Sequence, residues 1–172
     1  MFGGKNRVRL ARLELLARAW SDTEALQPSV TIRLMDSGAA AKWGETWSSD
    51  RTPPEGGWDW PAISDGCRGK TDDFCIAIWH GGTTLCGVFL LAVRGIAVQL
   101  RAVEGNPDEN HPLKGSVIAI GIDVAERFAG LLRRQEIWLV EPADGLIDLY
   151  VETFGYELAE SDDGRRICKR RV

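Results

Sequence analysis

The segment that most limits the fold is residues 73–103. "DFCIAIWH" and "LCGVFLLAV" are two apolar runs separated by "GGTT", and "IAVQLRAV" follows after "RG". Short runs rich in β-branched and aromatic side chains, bounded by glycine turns, read as strands. The middle run is apolar at consecutive positions, so both of its faces are buried and it lies inside a sheet. The third run alternates: Val98 and Leu100 stand against Gln99 and Arg101, which gives one core face and one polar face. Connections this short join antiparallel neighbours. The three runs are therefore expected as an antiparallel meander at the heart of a sheet.

What flanks the meander extends it. "VTIRLM" (30–35) alternates and predicts another strand. After a loop at 104–115, Val117, Ile120, Val124, Phe128 and Leu131 form one stripe of a helix over 116–134, and "EIWLVEP" (136–142) is a strand. A strand–helix–strand unit over 96–142 predicts a parallel pair. "DGLIDLYVETFG" (144–155) reads as a helix capped by Asp144 and ended by Gly155, followed by a hairpin that turns at Asp163-Gly164. Near the N-terminus, Val8, Leu10, Leu13, Leu16, Ala17 and Trp20 mark a helix over 7–20 that "SDTEALQPS" interrupts. A short helix over 37–50 follows, with Ser37 as its cap. The expectation is an α/β (α+β) chain with a mixed central sheet of about six to seven strands and flanking helices. It forms one domain over 1–172, with 1–29 as a helical extension and 30–172 as the core. Residues 48–72 fit no element. A loop this long in a compact domain is functional or mobile, and Trp58 and Trp60 within it suggest a substrate wall.

Composition excludes several classes. At 172 residues and 44% hydrophobic content the chain builds a core and is not disordered. Its longest apolar run, "LCGVFLLAV", holds nine residues, against the roughly 20 that a membrane-spanning helix requires. The basic, amphipathic "KNRVRLARLELLARAW" lacks the apolar core of a signal peptide, so a cytoplasmic location without membrane attachment is expected. Four cysteines without CxxC spacing and two distant histidines, His80 and His111, predict neither a disulfide framework nor a metal site. Residues 1–20 carry a net charge of +4 and residues 165–172 a net of +5, on a total of −4. Such basic ends either form solvated faces or contact an acidic partner or nucleic acid.

One strand, helices, three antiparallel strands, helix, strand, helix and closing hairpin is an order that resembles the GNAT superfamily of acyl-CoA-dependent N-acyltransferases. The most specific local match is "LIDLYVETFGYEL" (146–158). It resembles the family's late helix, in which a tyrosine precedes a glycine-aromatic pair, here Tyr150 and Gly155-Tyr156. Tyr150 lies five residues before Gly155, one more than the commonest family spacing. The resemblance covers residues 30–172. The family's cofactor loop reads Arg/Gln-x-x-Gly-x-Gly/Ala. The corresponding "VEGNPDENHPLKGSV" is longer, with Gly115 at one glycine position and Val117 where a small residue is usual.

The resemblance implies acetyl-CoA as cofactor and transfer of an acetyl group to a primary amine. It implies that pantetheine pairs with the backbone of the fourth strand, Leu100, Arg101, Ala102 and Val103. It also implies that pyrophosphate rests on Gly115, Ser116 and Val117 at the start of the next helix. Physics supports that junction independently, because the first amides of a helix lack partners and its dipole attracts anions. Lys114 and a protonated His111 would add positive charge. Tyr150 is implied as the acid that protonates the leaving thiolate, and Glu104, the nearest carboxylate behind the fourth strand, is the candidate base. Trp58, Trp60 and Gln99 are candidate substrate contacts. The acceptor is open: a small molecule, a protein or charged tRNA. Use of the same fold as a non-catalytic protein- or nucleic-acid-binding module, and assembly as a homodimer, are the alternatives.

Overall fold

The computed structural model describes residues 3–47 and 50–172. In chain order the elements are α1 (Gly3–Leu26), β1 (Val30–Leu34), α2 (Ser37–Thr46), α3 (Trp60–Cys67), β2 (Asp73–His80), β3 (Thr84–Arg94), β4 (Ala97–Gly105), α4 (Val117–Leu131), β5 (Glu136–Val140), β6 (Glu157–Glu160) and β7 (Arg166–Arg171). The strands form one mixed sheet of seven in the order β1-β2-β3-β4-β5-β7-β6. The predicted meander is present as β2–β3–β4, antiparallel throughout. β4 and β5 are the parallel pair that flanks the α4 crossover.

The sheet has two covered faces. On one, α1 and α4 bring Leu16, Ala19, Val124 and Phe128 onto Phe74, Phe89 and Ile137. On the other, α2 and α3 bring Ala39, Trp60 and Cys67 onto Cys75, Ala77 and Val88. Burying each large α4 side chain contributes about 1.5–3 kcal/mol before entropy is charged against it. The rings of Phe74 and Phe128 meet edge to face at 5.8 Å across the first interface. All four cysteines are free and buried.

Local readings need correction at four places. α1 runs on to Leu26, past the predicted stop. Its polar "SDTE" keeps helical register: Ala19 and Thr23, four residues apart, are both buried, and Thr23 Oγ1 donates to Asp123 Oδ2 of α4 at 2.6 Å. The true break is Pro28, followed by Ser29 at φ 71°. α2 is capped by Asp36, whose Oδ1 accepts the Ala39 amide at 2.8 Å, and Ser37 is already helical. It ends at Thr46; Ser48 and Ser49 of the predicted helix lie outside the described residues. The stretch 48–72 contains α3, which Asp59 caps by accepting the Ala62 amide at 3.1 Å, with Pro61 in the first turn. This is the usual chemistry of a helix start.

The fourth correction concerns the late helix. It is a 3₁₀ turn at Asp144–Leu146 followed by a π-helical turn at Leu149–Thr153. Asp144 caps nothing and instead pairs with Arg166 at 2.6 Å. The π turn, closed by Phe154 N–H donating to Leu149 O at 3.3 Å, absorbs the extra residue between Tyr150 and Gly155. An inserted residue widens a helix in this way, frequently at functional sites.

Candidate active site

The site begins with an irregularity in β4. Leu91 pairs with Leu100 while Leu90 pairs with Ala102, so Arg101 is an extra residue, a β-bulge. A bulge bends its strand and reverses which side chains face the core. Leu100 accordingly packs with the α4 face, whereas Ala102 packs with the α3 face. The parallel pairing of β4 with β5 stops at Leu100↔Leu139. β5 then turns toward β7: Glu141 takes φ 50° and its N–H donates to Arg166 O at 2.8 Å. Two neighbouring strands thus part, leaving the backbone of residues 101–103 without a partner on that side.

A cavity of about 480 Å³ fills the opening. Leu100–Val103, Val140–Pro142, Ile118, Tyr150, Trp58 and Arg165 line it. Such an open strand edge accepts an extended ligand as an added strand. Tyr150 is 5% exposed. Burial, with a smaller contribution from Cys168, pushes its phenol up to about 12, so it keeps its proton at any ordinary pH.

A second cavity of about 630 Å³ adjoins the first and shares Ile118 and Leu146 with it. It is lined by Asn106, Asp108, His111, Lys114, Gly115 and the start of α4. Ser116 offers α4 no side-chain cap. The Ile120 amide bonds Ser116 O at 3.0 Å, so the amides of residues 117–119 precede the first intrahelical bond. Gly115 has φ 80°, and nothing lies within 4 Å of where its Cβ would stand. Lys114 lines the cavity and is ion-paired with Glu109.

His111 is not a cation here. Burial lowers its pKa, with Arg51 adding to that effect and Asp108 opposing it. Its buried Nδ1 has no hydrogen-bond partner among the described residues. Val117, the bulky residue in a small-residue position, is accommodated by the strands below. A Cβ on Gly87 would lie 2.5 Å from Val117 Cγ1, and one on Gly105 would lie 3.7 Å from Val117 Cγ2. The glycines of β3 and β4 provide the space that the helix does not.

Ser116 lines neither cavity, and its amide donates to Leu113 O at 2.9 Å, so, contrary to expectation, it is not free for an anion. Three further predicted site residues lie elsewhere. Glu104 lines neither cavity. Its buried carboxylate accepts the Trp60 indole N–H at 2.7 Å and the Gly57 amide at 2.9 Å, with Arg51 at 3.4 Å. It anchors the 51–60 segment to β4. Gly57 is obligatory there, since a Cβ would fall 2.0 Å from Arg51 O. Trp60 is fully buried, and only Trp58, tilted against it at 5.8 Å, reaches the first cavity. Gln99 lines a separate hollow with Trp138. Glu141 and Arg165 also line the first cavity, although no sequence motif marks them. Glu141 directly follows the apolar run of β5, and Arg165 follows the Asp-Gly turn, so their positions were visible although their convergence was not.

No protein-family model matches the chain, and no curated protein matches it. Solved structures do. The PaiA N-acetyltransferase of Thermoplasma acidophilum in complex with coenzyme A is 12% identical, with 84% of this chain and 99% of that one covered at a TM-score of 0.52. The ribosomal-protein-S18-alanine N-acetyltransferase of Escherichia coli is 14% identical, over 83% and 94% of the chains, at 0.54. Spermidine N-acetyltransferase of Vibrio cholerae in complex with CoA and spermine is 10% identical, over 84% and 95%, at 0.56. Together with the seven-stranded mixed sheet and its flanking helices, these matches show that the chain has the fold of the GNAT N-acetyltransferases.

Proposed function

We propose that the protein is an acyl-CoA-dependent N-acetyltransferase acting on a primary amine. The observation that carries this reading is the cavity at the parting of β4 and β5, with Tyr150 in its wall and the uncapped start of α4 beside it. The residues present fit coenzyme A. The amides at 117–119, which precede the first intrahelical bond, suit a pyrophosphate, Lys114, paired with Glu109, stands beside them, and the free edge of Leu100–Val103 suits the amide-bearing pantetheine arm.

Bound acetyl-CoA would supply the thioester carbonyl that the amine attacks, with a C–N bond formed and the C–S bond broken. The chain's part is orientation and proton control. The phenol of Tyr150, held protonated by burial, donates a hydrogen bond to sulfur as negative charge develops there. A thiolate, whose conjugate acid lies near 8.5, does not strip a phenol near 12. Tyr150 therefore stabilises the departing sulfur as a donor and does not hand over its proton in advance. Glu104 is committed to Trp60 and Gly57, which leaves water or a cavity carboxylate to receive the amine proton.

Part of the basic charge at the two ends is engaged within the fold. Arg12 pairs with Asp72, Arg9 stacks on Phe74 at 5.4 Å, and Arg170 pairs with Glu126 while stacking on Tyr156 at 5.1 Å. These contacts favour a structural use of those three arginines over nucleic-acid binding. The test is release of free CoA from acetyl-CoA with a panel of amines. Tyr150→Phe is expected to lower kcat about tenfold or more while leaving CoA affinity within about threefold. Unchanged kcat would remove Tyr150 from the chemistry.

A further inference from the structure

The first cavity contains four charged side chains, and they are not equivalent. Arg166 is neutralised by Asp144 at 2.6 Å and also donates to Pro142 O at 3.0 Å. Arg165 is neutralised by Asp163, with Nη2 at 2.7 Å and Nε at 2.8 Å. Arg101 and Glu141 have neither hydrogen-bond nor ion-pair partners through their side chains among the described residues. Each owes its place to an irregular backbone. Arg101 is the bulge residue, turned out of the strand register. Glu141 sits at φ 50°, a conformation unfavourable for any residue with a Cβ and concentrated at functional sites.

A half-buried guanidinium without an anion is an unsatisfied group. Arg101 is desolvated by the cavity walls and repelled by Arg165 and Arg94, with only weaker attraction from Asp73 and Glu141. A planar fork of donors in that setting selects a carboxylate geometrically as well as electrostatically. The free carboxylate of Glu141 lines the same cavity and suits the ammonium of the same molecule. A polycation finds only one unpaired carboxylate in the cavity, opposed by the unpaired guanidinium of Arg101, because Arg165 and Arg166 are already paired. Spermine, bound by the Vibrio cholerae neighbour, carries no carboxylate for Arg101.

We propose that the acceptor is an aminocarboxylate, an amine that carries a carboxylate as an amino acid does. Arg101 holds the carboxylate, and Glu141 holds the ammonium and takes its proton, so that the neutral amine reaches the thioester. The proton moves from nitrogen to the Glu141 carboxylate, and thence to water. This rests on the acetyltransferase reading for its chemistry but not for its binding.

The test pairs binding with turnover. Pooled protein amino acids, their carboxamides and spermidine are titrated into the full chain by calorimetry with and without CoA, then offered with acetyl-CoA. One or more amino acids are expected to be bound and acetylated at least about tenfold better than the matching carboxamide. Arg101→Gln is expected to erase that ratio by weakening the acid and not the amide. Glu141→Gln is expected to lower kcat with acid-over-amide preference intact. Equal use of acid and amide, preference for spermidine, an unaltered ratio in Arg101→Gln, or no aminocarboxylate binding at all would each overturn the proposal. Aminocarboxylate binding with no CoA binding would overturn the acetyltransferase reading alone.

Discussion

Glu104 separates an anchoring role from a catalytic one, and the structure makes the difference measurable. Its carboxylate is 3% exposed and receives hydrogen bonds from Trp60 Nε1 at 2.7 Å and the Gly57 amide at 2.9 Å. Hydrogen bonds to a charged acceptor contribute about 1.5–3 kcal/mol each. The Arg51 contact, at 3.4 Å, is too long to add much. Glu104→Ala removes both strong bonds and strands the indole N–H of a fully buried Trp60, which together amount to about 3–6 kcal/mol. Opening of the 51–60 segment to water recovers part of this, so about 3 kcal/mol of destabilisation is expected. That is a large share of the 5–15 kcal/mol typical of a whole domain. Glu104→Gln keeps one acceptor oxygen and should lose about half as much. Urea denaturation followed by tryptophan fluorescence and by circular dichroism measures both. Folded Glu104→Gln should retain turnover within about tenfold of the parent. A stability change below about 0.5 kcal/mol in Glu104→Ala, or a drop in kcat of about 10²-fold or more in a fully stable Glu104→Gln, would refute the anchoring role.

Other outcomes follow from the same geometry. Gly87→Ala forces a Cβ to within 2.5 Å of Val117 Cγ1, so it should destabilise by about 1–3 kcal/mol and weaken CoA binding at α4, and Val117→Ala should rescue it; strict additivity in the double-mutant cycle would count against the notch. Burial lowers the His111 pKa from 6.5, so the unfolded chain binds a proton that the folded chain refuses. Stability should therefore fall as pH drops below about 6.5. His111→Gln should flatten that slope between pH 5 and 7, on the order of one proton's linkage, and an identical slope would place the titration elsewhere. Tyr150, raised to about 12, should leave kcat free of any tyrosine-dependent decline between pH 8 and 10, and a decline that Tyr150→Phe abolishes would contradict its burial.

The sequence made the scaffold legible because its signals are local. The meander announces itself through "GGTT" and "RG", and the parallel unit through a helix between two strands. Even α3 was within reach, since Asp59 and Pro61 form a recognisable helix start. The bulge at Arg101 was not. "VQLRAVE" breaks its alternation only at Ala102-Val103, and the register against Leu90 and Leu91 is what places the extra residue at Arg101. That single slip sends Glu104 to the α3 face, where it serves Trp60 in place of an amine. Burial likewise decides the state of His111, and no neighbour in its own segment discloses it. Tyr150 was noticed for its position, and its spacing of one residue too many became intelligible as a π turn.

The central claim is that the opening between β4 and β5, with the uncapped start of α4, holds coenzyme A. Calorimetric titration of acetyl-CoA into the 172-residue chain tests it most directly. The account predicts saturable binding at one site per chain, weakened about tenfold or more when Gly115→Asp places a carboxylate at the α4 start. No heat and no thermal stabilisation at millimolar acetyl-CoA, or binding indifferent to Gly115→Asp, would contradict it.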